Sequence, residues 1–357
     1  MEYVIGIVLI LVVVEIITRK LYFKTHGVPY INKRIGEYPY NEFMEECEPP
    51  MHWKLKPGYN KGQISINSLG LRSPEPVAGR KRIWVIGESD YFGAKLASEN
   101  KIWFRRLQQR LDSAGYDYQV MNGSIIGYNL AQTAKIVEAL PVGKGDIVLL
   151  RPNQNDVSIA YIHGQDWKEG TTWPLTFVHN LERHKAWYLK VIDQSCFAMK
   201  MRKKMAKNDD RARSFAPKPG FQWEKLLGYQ EEMLQRLTEN AQQKGARVAF
   251  FDFSPSYGET VAVEEESKLS AIQSNWRGLV EGWSQYQFGI VEECIQRVAV
   301  PMGLPVLRIR SHILNDPNHY LLYHDLVHFN EKGHGVLANA LYDELITARI
   351  LDKGDTL

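Results

Sequence analysis

Residues 82–93 read Arg82-Ile83-Trp84-Val85-Ile86-Gly87-Glu88-Ser89-Asp90-Tyr91-Phe92-Gly93, and the fold class turns on this stretch. An apolar run of strand character stops at Gly87, a serine follows two residues later, and Gly93 closes the turn before a helix-like segment. A serine leaving a buried parallel strand stands at the carboxyl edge of the sheet, where open α/β folds hold their ligands. Taken singly the signal is weak. Gly and Ser are ordinary turn residues, and a helix N-cap is the commoner use of such a serine.

Outward from that strand the pattern alternates. A helix is expected over 99–111, with Trp103, Leu107 and Leu111 on one face. A second strand over 118–121 leads into Asn122-Gly123-Ser124-Ile125-Ile126-Gly127, and Asn129 then caps a helix running to about Leu140. Residues 146–150 (DIVLL) make a third buried strand. After an irregular stretch, a helix (221–244), a strand (247–253), a helical region broken in places (266–300), a strand (305–309) and a last helix (333–350) restore the rhythm. Strand–helix alternation with short turns implies an α/β class, a three-layer α/β/α arrangement on a central parallel sheet.

Two regions depart from this rhythm. Residues 24–79 are rich in Pro, Gly, Asn and Tyr, with a short strand expected at 63–66. Aromatic side chains such as Tyr40, Phe43, Trp53 and Tyr59 call for burial, so this extension is read as lying on the main domain of residues 80–352. Residues 157–220 form an insertion with Trp167, Trp173 and Trp187 and the basic run Lys200-Met201-Arg202-Lys203-Lys204. Its tryptophans either pack or stack on a sugar, and its basic run is either a solvated face or a headgroup contact.

The N-terminus stands apart. Residues 3–14 (YVIGIVLILVVV) carry no charge, and apolar character resumes after Glu15. Residues 1–23 are therefore expected to be a single transmembrane anchor helix, short unless Glu15, Arg19 and Lys20 reach the interface. The basic residues Arg19, Lys20, Lys24, Lys33 and Arg34 follow the anchor, which argues for a cytoplasmic body. At 357 residues, with 44% hydrophobic and 24% charged, the rest is globular. The net charge of +3, without a basic stripe, gives nucleic-acid binding no support. Cys47, Cys196 and Cys294 are too scattered for a zinc site or a disulfide framework.

Serine becomes a nucleophile when a base takes its proton and a third group fixes that base. Asp325 and His328, three residues apart in Asp325-Leu326-Val327-His328, can supply acid and base from one loop. Gly127, after the second strand, can offer a backbone N–H to an oxyanion, and Asn155, after the third, a side-chain amide. Each of these groups follows a strand or a late loop, so a parallel sheet would gather them on one edge.

The four stretches, in order, resemble the sequence blocks of the SGNH hydrolases, also called GDSL-type esterases. Gly87-Glu88-Ser89 with Gly93 is similar to the Gly-Asp-Ser block, with Glu in place of Asp. Residues 122–127 look like the second block. Asn153-Gln154-Asn155-Asp156 resembles Gly-x-Asn-Asp, with Asn153 where that block has glycine, and Asp325 to His328 looks like Asp-x-x-His, followed by Phe329 where proline is usual. The resemblance covers about residues 82–350 and implies a flavodoxin-like fold. It implies Ser89 as nucleophile, His328 as base and Asp325 as its orienter, with the Ser89 and Gly127 N–H groups and the Asn155 amide as oxyanion hole. It implies no cofactor and no metal. The expected substrate is a carboxylic ester, O-acetyl or another short acyl group, with an O-acetylated glycan or a lipid as candidates. A hydrolase, an acyltransferase using the same acyl-serine and a non-catalytic tethered scaffold remain alternatives. Anchored relatives mostly face outward, so the resemblance implies a catalytic domain on the extracytoplasmic side, against the basic flank. His312, His319, His324, His328 and His334 would be the ligands of a rival metal site, but no HExxH accompanies them.

Overall fold

In the computed structural model the described residues are 2–26, 40–61, 64–94, 96, 99–173, 195–198, 201, 219–252, 255–256 and 277–352. Trp187, the basic run except Met201, and the start of the expected 266–300 helix lie outside them. Five parallel strands form the sheet: β5 (Lys81–Val85), β6 (Tyr118–Asn122), β7 (Ile147–Leu150), β8 (Arg247–Phe251) and β9 (Val306–Leu307), in the spatial order β6-β5-β7-β8-β9. Val85 pairs with Asn122 on one side and Leu149 on the other. The chain goes from β5 outward to β6, then crosses back to β7, so β5 lies at the switch in strand order where such sheets open a crevice.

Alternation along the strands divides two cores. Trp84, Met121, Val148, Leu150 and Phe250 face one side, packed with Leu130 and Val137 of α5 (Leu130–Ala139), Val157 of α6 (Gln154–His163) and Leu234 of α7 (Trp223–Gln243). Ile83, Val85, Val120, Leu149 and Phe251 face the other, against Trp103 and Leu107 of α4 (Trp103–Ser113) and Leu337 and Leu341 of α10 (Glu331–Thr347). A period of two with both faces apolar requires helices on both sides, which is the three-layer arrangement expected.

Element ends differ where local hydrogen bonding decides them. Residues 99–101 form a separate 3₁₀ turn before α4. The α5 start is held by a reciprocal capping box between Asn129 and Gln132. β8 ends at Phe251, and a helix over Arg277–Cys294, α8, is followed by a π-helical turn at Ile295–Ala299.

The extension lies on the first core. The short helix α2 (Tyr40–Phe43) and the hairpins β1–β2 (Met44–Glu46 with Trp53–Leu55) and β3–β4 (Asn60–Lys61 with Ile64–Ser65) bury Phe43, Trp53, Leu55 and Ile64. The Trp53 indole N–H donates to the Ile126 carbonyl at 3.0 Å, and the Tyr128 hydroxyl donates to the Trp53 carbonyl. Trp167 and Trp173 of the insertion are also buried in this core, which is the packing use of those side chains.

The N-terminus is helical, as expected. α1 (Glu2–His26) is a single helix, but among the described residues no helix is long and apolar enough to cross a membrane. The uncharged run of residues 3–14 spans about 18 Å at 1.5 Å per residue, against a hydrocarbon core of about 30 Å. Glu15, which ends that run, is occupied: its carboxylate accepts from the Cys196 N–H at 2.9 Å, the Phe197 N–H at 3.1 Å and the Ser195 hydroxyl at 2.8 Å.

Candidate active site

Ser89 opens the short helix α3 (Ser89–Phe92) immediately beyond β5 and is half-buried. The turn into α3 is tight. A Cβ on Gly87 would stand 2.9 Å from the Tyr91 Cβ and 3.1 Å from the Ser124 hydroxyl, which itself accepts the Gly87 N–H at 2.9 Å. α3 is pinned from the other side, since the Tyr91 carbonyl accepts from the Trp103 indole at 2.6 Å and the Asn122 amide at 3.1 Å.

His328 and Asp325 arrive on the loop after the 3₁₀ turn His319–Leu322. That loop closes on itself through a Tyr323–Phe329 bridge and a 2.7 Å bond from the His324 N–H to the His328 carbonyl. Phe329 is fully buried and stacks on Tyr323 at 4.5 Å, so an apolar anchor takes the place of the proline usual after such a histidine. Within the loop the Asp325 carboxylate accepts from the Val327 and His328 N–H groups at 3.0 and 2.9 Å. It also lies 2.8 Å from His328 Nδ1. A carboxylate can only accept, so Nδ1 carries the proton and Nε2 presents its lone pair. Nε2 stands 2.8 Å from Ser89 Oγ.

The oxyanion candidates come from β6 and β7. Gly127 is buried at φ +73°, a left-handed backbone that side chains resist. Asn155 is the second residue of α6, and its amide donates to the Tyr128 carbonyl at 3.0 Å. An amide nitrogen has two N–H donors, and this bond occupies one of them. Asn153, at the position of the resembled glycine, has φ −88° and accepts the Asp156 N–H as N-cap, so no glycine is required there. Its own amide also donates to the Tyr128 carbonyl, at 3.0 Å.

Reasoning from sequence missed the buried charges around the serine. Asp90 forms a two-bond ion pair with Arg151, both at 2.8 Å, so the side chain after Ser89 is held in a buried pair and is not solvated. Arg151 also lies 3.4 Å from Glu88 and over the Tyr91 ring at 5.0 Å. Glu88 accepts the Gln154 N–H at 2.6 Å and the Asn155 N–H at 3.0 Å. Burial raises the Glu88 carboxyl above the usual carboxylate range, opposed by Arg151 and reinforced by Asp90. Asp156 accepts the Leu130 N–H at 2.7 Å, and burial pushes its carboxyl up to about 7. One signal was available: charges of opposite sign stand just past the ends of adjacent apolar strands, Glu88 and Asp90 after β5, Arg151 after β7.

The five histidines do not act as one group. His312 pairs with Glu344 at 2.8 Å, and His319 is held between the Asp316 and Ser256 carbonyls. His334, in the first turn of α10, is fully buried, and desolvation holds its pKa well below the usual imidazole range. Among the described residues no three His, Cys, Asp or Glu side chains converge as a metal ion would need.

No protein-family model and no curated protein matches this chain. Solved structures give distant likenesses. One described as TesA is 14% identical, with a TM-score of 0.42 over 75% of this chain and 99% of that one. A member of the lipolytic protein G-D-S-L family from Veillonella parvula is 12% identical, with a TM-score of 0.42 over 74% and 97%. A lipase/acylhydrolase from Enterococcus faecalis is 11% identical, with a TM-score of 0.42 over 77% and 100%. At that distance the chemistry has to be argued from the chain's own residues.

Proposed function

We propose that this protein is a serine esterase of SGNH type that hydrolyses a carboxylic ester. One observation carries the reading. Three groups from two distant segments form an unbroken relay, Asp325 to His328 Nδ1 at 2.8 Å and His328 Nε2 to Ser89 Oγ at 2.8 Å. In this reading Ser89 Oγ attacks the ester carbonyl carbon as His328 Nε2 takes its proton. Asp325 holds the imidazole in the needed tautomer and stabilises the imidazolium. The Ser89 and Gly127 N–H groups and the Asn155 amide receive the oxyanion. Collapse expels the alkoxide, which takes the proton back from His328, and water activated by the same base then cleaves the acyl-serine.

A short acyl group, O-acetyl first, is the proposed substrate. Acyl esters of p-nitrophenol of increasing chain length test both parts. Ser89→Ala and His328→Ala are each expected to lower kcat/KM by roughly 10⁴-fold or more. Hydrolysis unchanged in both variants would end the assignment, and a rate that climbs with chain length would remove the short-acyl part. Glycan as substrate draws no support from Trp167 and Trp173, which are buried.

Membrane association is proposed on α1, where Leu9, Ile10, Leu11, Val13 and Ile17 are each more than half exposed. Contiguous apolar surface of this kind marks a membrane or protein contact. Fractionation compares the full chain with one lacking residues 1–26. The full chain is expected with the membranes and the shortened one in the supernatant, and identical partitioning would count against α1.

A further inference from the structure

A helix normally closes its first N–H groups with its own N-cap residue. α6 does so only in part. Asn153 takes the Asp156 N–H at 3.0 Å, but the Gln154 and Asn155 N–H groups go to Glu88, at 2.6 and 3.0 Å. Glu88 is 66 residues away from Gln154 in sequence and is the residue directly before Ser89. The remaining link runs through Arg151, 3.4 Å from Glu88 and bound twice to Asp90. The residues on either side of the serine thus share one buried guanidinium. The helix that carries the Asn155 amide starts on one of their carboxylates.

We propose that Glu88 is a positioning residue of the hydrolytic site. Through the first two peptide N–H groups of α6 it sets where the Asn155 amide stands relative to Ser89 Oγ. The proposal rests on the esterase reading above. Its physical content is that an oxyanion donor works only in place, where a displacement of about 1 Å costs roughly 100-fold in rate. Glutamine at this position offers one acceptor for two N–H donors and turns its own NH₂ toward Arg151 or a peptide N–H. Aspartate keeps the charge but is one methylene shorter.

A double-mutant cycle tests this with Glu88→Gln, Asn155→Ala and their combination. The readouts are kcat and KM on p-nitrophenyl acetate and the thermal midpoint of each variant. Asn155→Ala alone is expected to lower kcat by roughly 10²–10³-fold, the usual loss for one oxyanion donor. Glu88→Gln alone is expected to lower kcat by about 10- to 100-fold, with KM within about threefold. In the Asn155→Ala background the same change is expected to cost less than about threefold, because the donor it positions is gone. Equal fold-losses in both backgrounds would overturn the proposal, whatever the midpoints do, and so would an Asn155→Ala variant with full kcat. If the glutamine variant does not fold, Glu88→Asp enters the same cycle with the same two outcomes. Activity that survives Ser89→Ala would instead remove the esterase reading itself.

Discussion

Asp325 uses one carboxylate for two tasks: it accepts two backbone N–H groups of its own loop and faces His328 Nδ1. The first task shapes the turn and the second fixes the tautomer, so a change that spares the first can isolate the second. Asparagine keeps an oxygen for the backbone N–H groups but can set its NH₂ against the ring. Asp325→Asn is therefore expected to fold with a near-unchanged thermal midpoint and to lose roughly 10³–10⁴-fold in kcat. Steady-state hydrolysis of a p-nitrophenyl ester checks this, and a loss of less than tenfold would count against the relay. The proposed roles at this scale were readable in the sequence because each residue follows a strand or sits three residues from its partner. The pairing of Asp90 was not legible, because its partner Arg151 is 61 residues away, just past another strand.

At the scale of elements, Arg72 ties the loop after α3 to the extension. Arg72 is fully buried. It pairs with Glu99 at 3.0 Å and donates to the Gly93 and Leu96 carbonyls at 2.9 and 3.0 Å. Removing the guanidinium would take its charged partner from the mostly buried Glu99 carboxylate, which also accepts the Ser65 N–H at 3.1 Å, and a donor from two carbonyls. Arg72→Met is expected to cost about 3–5 kcal/mol of folding stability, measured by urea unfolding, and a cost below about 1 kcal/mol would show that the bonds are replaced by water. Strands and helices of the sheet were readable from apolar periodicity, since each carries its own pattern. The extension was not readable in the same way, because its hairpins are short and gain their stability by packing Phe43, Trp53 and Leu55 on the domain. A chain starting at Arg80 is accordingly expected not to give a cooperative unfolding transition, whereas one starting at Tyr40 is. Matching transitions for the two would show the extension to be dispensable.

Over the whole molecule, the buried carboxylates give stability a pH dependence of defined sign. Burial raises Asp156 and Asp252 to about 7 each, from 3.8 in the unfolded chain, with N–H groups of Leu130 and Arg310 opposing. Between about pH 4 and pH 7 the folded chain therefore holds protons that the unfolded chain has released, and each such group makes stability fall as pH rises. One group contributes a slope of at most about 1.4 kcal/mol per pH unit. Thermal midpoints across this window are expected to fall less steeply for Asp156→Asn, whose oxygen still accepts the Leu130 N–H, than for the natural chain. Parallel curves would mean that Asp156 is ionised throughout.

The sequence by itself determined the sheet and which residue types stand at its edge. Near-continuous apolar strands require cover on both faces; Ser89, Gly127 and Asn155 follow from where those strands stop, and Asp325 and His328 from their spacing in a late loop. Only the tertiary structure decided the surroundings of Ser89: that Glu88 starts α6, that Arg151 holds Asp90, and that Arg72 closes the loop after α3. Those are pairings between groups far apart in the chain. A residue's type states what charge or hydrogen bond it offers, but which partner takes it depends on strand order and register, and these exist only once the chain has folded.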